Sequence, residues 1–240
     1  MLTAHSAAKD LKKLGTPARA KTAAWYFKTG KGHYGYGDIF LGVTVPEQRK
    51  LAKRYRDLPL GEISTLIKSP LHECRLTALF ILVGQFECAA AEGKARVARF
   101  YLQRRKCVNN WDLVDSSAPR ILGRHLSDKN RTILYKLARS KNLWERRIAI
   151  IATLAFIKEN EYTDTLAIAK LLLNDRHDLI HKAVGWMLRE VGKKKLSAEE
   201  AFLKKYAAVM PRTMLRYASE KFPEKKRRAF LAMRPKIEKY

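Results

Sequence analysis

Residues 69–82, SPLHECRLTALFIL, return in altered form at residues 141–154, KNLWERRIAIIATL. Leu71, Glu73 and Arg75 of the first copy align with Leu143, Glu145 and Arg147 of the second, 72 residues further on. Both copies carry apolar residues at a period near 3.6, the pattern of a helix with one buried face. The recurrence continues. In DLIHKAVGWML (178–188), Lys182 stands 35 residues after Arg147, and in PRTMLRYASEKF (211–222), Arg216 stands 34 residues after Lys182. A helical unit recurring at roughly 33 to 37 residues is the mark of an α-solenoid. The expected fold is therefore all-α, one helical-repeat domain over residues 1–240. A solenoid curves and offers an extended concave face. Cations recurring in register at Arg75, Arg147, Lys182 and Arg216 would line that face as a stripe. The plainer alternative is that they are ordinary solvated helix charges.

The rest of the chain agrees with helices. Residues 2–28 read as two helices broken near Gly15-Thr16-Pro17, with Pro17 at a helix start. VPEQRKLAKRY (45–55) is a helix with Pro46 in its first turn. Leu60 to Lys68 is a short helix stopped by Ser69-Pro70, and no strand alternation is evident. GKGHYGYG (30–37) formally contains GxGxxG at Gly30, Gly32 and Gly35. It follows a helix and has no βαβ unit around it, so it reads as a loop and not as a dinucleotide site.

The composition points to partners. Forty-nine Lys and Arg against 23 Asp and Glu give a formal net charge of +26. Such a balance suits a polyanion, and basic residues spread along the chain favour nucleic acid over a membrane surface. The apolar runs at 148–157 and 79–83 are too short to span a bilayer. The N-terminal stretch has no sustained apolar segment, so no secretory signal is expected. Cys74, Cys88 and Cys107 form no CxxC, which argues for reduced thiols in a cytoplasm. His177 and His181 are i,i+4 neighbours but lack the Glu and third ligand of a zinc helix, so no metal site is expected.

Against this basic background, CVNNWDLVDSSAPRILGRHL (107–126) sets two carboxylates beside a tryptophan. Trp111 and Asp115 share a helix face at i,i+4. An aromatic face beside a carboxylate is a place for a cation. The alternative is that Trp111 is core and that Asp112 and Asp115 pair with Arg120 or Arg124. Pro119 would leave the carbonyl of Asp115 without its helical partner and kink or end the helix there. Trp186 has Gly185 beside it, which allows close approach of another backbone or a ligand. Trp144 precedes the ERR of the repeat.

The chain resembles the bacterial AlkD-like DNA alkylation repair family of HEAT-repeat glycosylases, from about Ala18 to Arg228. The resemblance is carried by AWYFK, FLGVTVPEQRKLAK, SPLHECRLTALFILV, NNWDLVDSSAP, LWERRIAI, HKAVGWMLREVGK and PRTMLRYA. It implies an armadillo-like superhelix of HEAT-like repeats whose basic concave face holds double-stranded DNA. It also implies hydrolysis of the N-glycosidic bond of N3- and N7-alkylated purines, without base flipping. On this likeness Asp115 is the catalytic carboxylate, Trp111 and Trp186 are active-site tryptophans, Arg147 lies near the phosphate and Tyr26 lines the site. No cofactor is implied, because an alkylated purine is already a good leaving group. The implied protein is a cytoplasmic monomer, on the nucleoid when bound to DNA. Two features depart from the family pattern: Asn110 stands where relatives can carry a second aromatic residue, and the 30–37 loop is long. The rival readings are a non-enzymatic helical-repeat scaffold for distorted or branched DNA and an adaptor for acidic peptides.

Overall fold

The protein, seen here in a computed structural model, is described over residues 2–233. Its fold is all-α, of the helical-repeat class, with no strand among the described residues. None of the described helices is long and apolar enough to cross a membrane. Contacts group the chain into two compact units that meet in sequence between His125 and Leu126.

The first unit holds helices α1 (Ala4–Leu14), α2 (Pro17–Tyr26), α3 (Val45–Arg54), α4 (Leu60–Ile67), α5 (His72–Cys88), α6 (Ala91–Arg104) and α7 (Trp111–Ser117). Local chemistry sets the starts. Thr3 and Ser6 form a capping box on α1, and Thr44 and Glu47 form one on α3. Thr16 caps α2 ahead of Pro17, whose missing N–H costs nothing in a first turn. Helix α5 is the axis of the unit and packs against α1, α3, α4, α6 and α7. It is buried without a break from His72 to Val83. Burying each of its large aliphatic side chains stabilises the fold by about 1.5–3 kcal/mol.

One polar feature ties the segment before α3 onto this axis. The Glu73 carboxylate accepts the backbone N–H groups of Leu41 at 2.9 Å, Gly42 at 2.8 Å and Val43 at 3.3 Å. Gly42 sits at φ +80° against the backbone of α2, where a side chain would collide with Thr16 O.

The second unit holds α8 (Thr132–Ala138), α9 (Leu143–Ala152), α10 (Leu154–Lys158), α11 (Thr163–Leu171), α12 (Asp178–Lys194), α13 (Leu196–Tyr206), α14 (Arg212–Ala218) and α15 (Glu224–Ala232). Helix α12 is its axis, packed against α9, α10, α11, α13 and α14. The two copies of the repeat are thus α5 with its lead-in and α9 with its lead-in, and the units at 178–188 and 211–222 are α12 and α14. Packing against α14 is close at Gly185, where a Cβ would stand 2.5 Å from Met214 O and from Tyr217 Cβ. The neighbour that this glycine admits is the backbone of α14.

Candidate active site

Helix α7 begins at the residues the sequence singles out. Asn110 is the N-cap, its Oδ1 accepting the Trp111 N–H at 2.8 Å. Asp112 lies in the first turn, where the helix dipole favours a carboxylate. Asp115 follows one turn after Trp111 on the same face, and both are half-buried. The helix then changes character. Pro119 has no N–H to give the Asp115 carbonyl, and residues Pro119–Gly123 form a π turn in which Gly123 N–H reaches Ala118 O at 2.9 Å. Such wide turns occur often at functional sites. Near Asp115 the hydroxyls of Ser117 and Tyr101 are hydrogen-bonded at 3.1 Å. Burial pushes the Tyr101 hydroxyl pKa up, and the Asp115 charge adds to that.

Arg120 and Arg124 are engaged with an acid outside WDLVD. Both arginines bind Glu87, Arg120 at 2.8 Å and Arg124 at 3.2 Å. Asp112 instead meets His72, whose Nε2 lies 2.8 Å from Asp112 Oδ2. The other ring nitrogen, Nδ1, lies 2.8 Å from Asp38 Oδ2. Asp38 also accepts from Arg75 Nη2 at 2.5 Å and from Asn110 Nδ2 at 3.2 Å. Burial works to raise the Asp38 pKa, but His72 and Arg75 outweigh it and hold the carboxyl below its usual range. Asn110 is fully buried and spends its side chain on Asp38 and on the cap.

An aromatic stack leads from His72 to Trp111. Phe40 stacks on the imidazole at 4.5 Å, Phe27 on Phe40 at 4.9 Å, and Trp111 on Phe27 at 5.3 Å. Tyr26 meets Trp111 edge-on at 6.0 Å and is 57% exposed, so it offers ring surface to solvent beside the tryptophan.

The remaining site residues of the sequence reading differ in setting. Arg75 and Arg147 are each only 5% exposed. Arg75 donates to Ser69 O at 2.9 Å as well as to Asp38, and Arg147 donates to Leu179 O at 2.6 Å. Lys182 is half-buried and pairs with Asp178 at 2.7 Å, whereas Arg216 is exposed. The four are therefore not one class of solvated cation. Trp186 is half-buried on α12, its Nε1 donating to Glu190 at 3.0 Å. His177 caps α12 through Nδ1, and His181 reaches Asp175 O at 2.5 Å through Nε2. Other basic residues are also engaged, Arg104 with Ser64 at 2.9 Å and Lys193 with Glu190 at 2.6 Å.

Sequence reasoning missed His72, Asp38, Phe27 and Phe40. One signal was available. In the repeat, His72 stands where the second copy has Trp144, a titratable ring in place of an apolar one at a buried position.

The fold is all-α and of the helical-repeat class, with a tryptophan and a carboxylate on one face of α7. Within that class, the chain belongs to the DNA alkylation repair enzyme family, whose model matches residues 7–222. The family places this chain in DNA repair, with DNA as what it acts on. Among solved structures, a predicted DNA alkylation repair enzyme from Enterococcus faecalis superposes with a TM-score of 0.68 at 20% identity, covering 88% of this chain and 97% of that one. At that identity the likeness speaks for the fold. No curated protein matches the chain.

Proposed function

We propose that the protein is a DNA glycosylase that hydrolyses the N-glycosidic bond of N3- and N7-alkylated purines in double-stranded DNA, without extruding the base. The observation that carries this reading is the division of labour on α7. Asp112 is bound to His72, while Asp115 lies on the face of Trp111, whose ring is backed by Phe27 and edged by Tyr26.

An alkylated purine carries a positive charge and leaves as a neutral base, taking the electron pair of the bond to C1′. The charge passes to the sugar as an oxocarbenium ion. Aromatic faces hold such a cation by cation–π attraction, and an anion beside it stabilises its formation. In this mechanism Trp111 supplies the face and Asp115 the anion. Water attacks C1′, and Asp115 accepts its proton. In the second unit, Trp186 is proposed as an aromatic contact to the DNA and Arg147 as a cation near a phosphate. Tyr26 borders the lesion. Lys182 and Arg216 add to a salt-dependent grip on the backbone.

The test is base release from duplex DNA carrying N7-methylguanine or N3-methyladenine, for wild type and Asp115→Asn side by side. Release by the wild type, with retained DNA binding but little release by the variant, is expected. No release by either, with salt-sensitive DNA binding intact, would replace the enzyme with a DNA-binding scaffold. Displacement of duplex DNA by an acidic peptide would favour the adaptor.

A further inference from the structure

The Asp38–His72–Asp112 cluster joins three separate elements of the first unit: the loop before α3, the start of α5 and the first turn of α7. His72 is 2% exposed, and both ring nitrogens are within hydrogen-bond distance of carboxylate oxygens. Ionised carboxylates only accept, so both nitrogens must donate, and the ring is an imidazolium. Arg75 adds a second cation against Asp38. Two carboxylates and two cations cancel, so the cluster lends no net charge to the DNA face. Its contribution has to be geometric.

What it holds is Trp111, by two independent routes. The first is covalent: Asp112, fixed by Nε2, is the next residue in the chain. The second is through the rings: the imidazolium bears on Phe40 and Phe27, and Phe27 bears on Trp111. We propose that His72 is a positioning residue for base release, setting the Trp111 ring and the first turn of α7, and with them Asp115 one turn on. The proposal rests on the glycosylase reading. It differs from a plain structural staple in one respect, because the hold depends on a proton.

If the imidazolium loses that proton, one nitrogen presents a lone pair to a carboxylate, and an attraction becomes a repulsion. Burial pulls the His72 pKa down, but the hydrogen bonds and charges of Asp112 and Asp38 outweigh it and raise it to about 9. The charged groups around the ring are Asp38 from the loop, Asp112 from α7, and Arg75 and Glu73 from α5. Arg19 of α2 lines the same cavity of about 160 Å³ beside His72 and Asp112. Glu73 is engaged with three backbone N–H groups. The imidazole changes its charge between neutral and alkaline pH.

The experiment compares wild type, Asp115→Asn, His72→Gln and Asp112→Asn. Single-turnover base release from an N7-methylguanine duplex is followed from neutral to alkaline pH, net of spontaneous loss, with DNA affinity measured separately. His72→Gln is expected to keep its DNA affinity and to lose roughly 10- to 100-fold in rate, as small misplacements of reacting groups do. The wild-type rate should fall as pH rises through about 9. That fall should be absent from His72→Gln and shifted to lower pH in Asp112→Asn, which keeps the shape but removes one charge holding the proton. Asp112→Asn carries the test alone if His72→Gln does not fold. Wild-type rates and an unshifted alkaline fall in these variants overturn the proposal and leave the glycosylase reading standing. A wild type that releases no base overturns that reading, and the proposal with it.

Discussion

The carboxylate of Glu199 occupies the space that a side chain at Gly192 would fill: a Cβ added at Gly192 would overlap Glu199 Oε2. Glu199 is 2% exposed, and its Oε1 has no hydrogen-bond partner among the described residues. Burial pushes its pKa from 4.5 up to about 8; the charge of Arg189 opposes this and that of Glu200 adds to it. The folded chain therefore keeps a proton that the unfolded chain has lost. Stability from this site is whole below pH 4.5 and declines as pH rises to about 8. Glu199→Gln is expected to raise stability at neutral pH by about 2–3 kcal/mol and to remove that decline, read from denaturant midpoints at acid and mildly alkaline pH. Gly192→Ala should lower the midpoint.

His72 gives a pH effect of the same direction in a later window. Its imidazole holds a proton up to about 9 in the folded chain and up to the ordinary 6.5 when unfolded. Its stabilising contribution is complete below pH 6.5 and is lost as pH rises through 9. The contribution is on the order of 3 kcal/mol, and the loss should vanish in His72→Gln. Melting temperatures of the two proteins across that range decide the point.

Arg75 and Arg216 should behave as different kinds of residue. Removing Arg75 leaves the buried Asp38 short of a cation, so Arg75→Ala should cost about 3–5 kcal/mol of stability. Arg216 is exposed, so Arg216→Ala should leave the midpoint unchanged. It should reduce the slope of log K against log salt for duplex binding by about 1. An unchanged slope would remove Arg216 from the DNA contact.

Gly185→Ala tests the packing behind Trp186. The added methyl meets the α14 backbone at Met214 O, which cannot rotate aside as a flexible side chain can. A loss of about 1–3 kcal/mol is expected in the denaturant midpoint.

The helices were legible in the sequence because their signals are local. Thr16-Pro17 and Thr44 with Pro46 announce starts through caps and fixed φ, and the 3.6 period of 69–82 announces the buried axis α5. The in-register cations were legible as a pattern but not as a cause. Arg75 and Arg147 recur as buried donors to carbonyl groups, and burial needs register as much as a binding stripe does. Around α7, Trp111 and Asp115 could be placed on one face by counting. The partners of Asp112 could not. His72 is 40 residues from Asp112 and 34 from Asp38, and no local rule says which of many acids a histidine meets.

The Gly-rich loop is pinned at its far end: Gly35 lies under the Phe27 carbonyl, and three residues on Asp38 is locked to His72, Arg75 and Asn110. Between the end of α2 and those pins, residues 31–33 are exposed, and a Cβ added at Gly32 would meet nothing within 4 Å. Lengthening such a segment is cheap, since doubling a flexible loop costs about 0.6 kcal/mol in closure entropy. This is where the chain can accept a graft. A tag, a reporter or a borrowed recognition hairpin inserted at Lys31-Gly32 would be carried beside Tyr26, which lines one cavity with Gly30 and His33, while the Asp38–His72 bond stays in place.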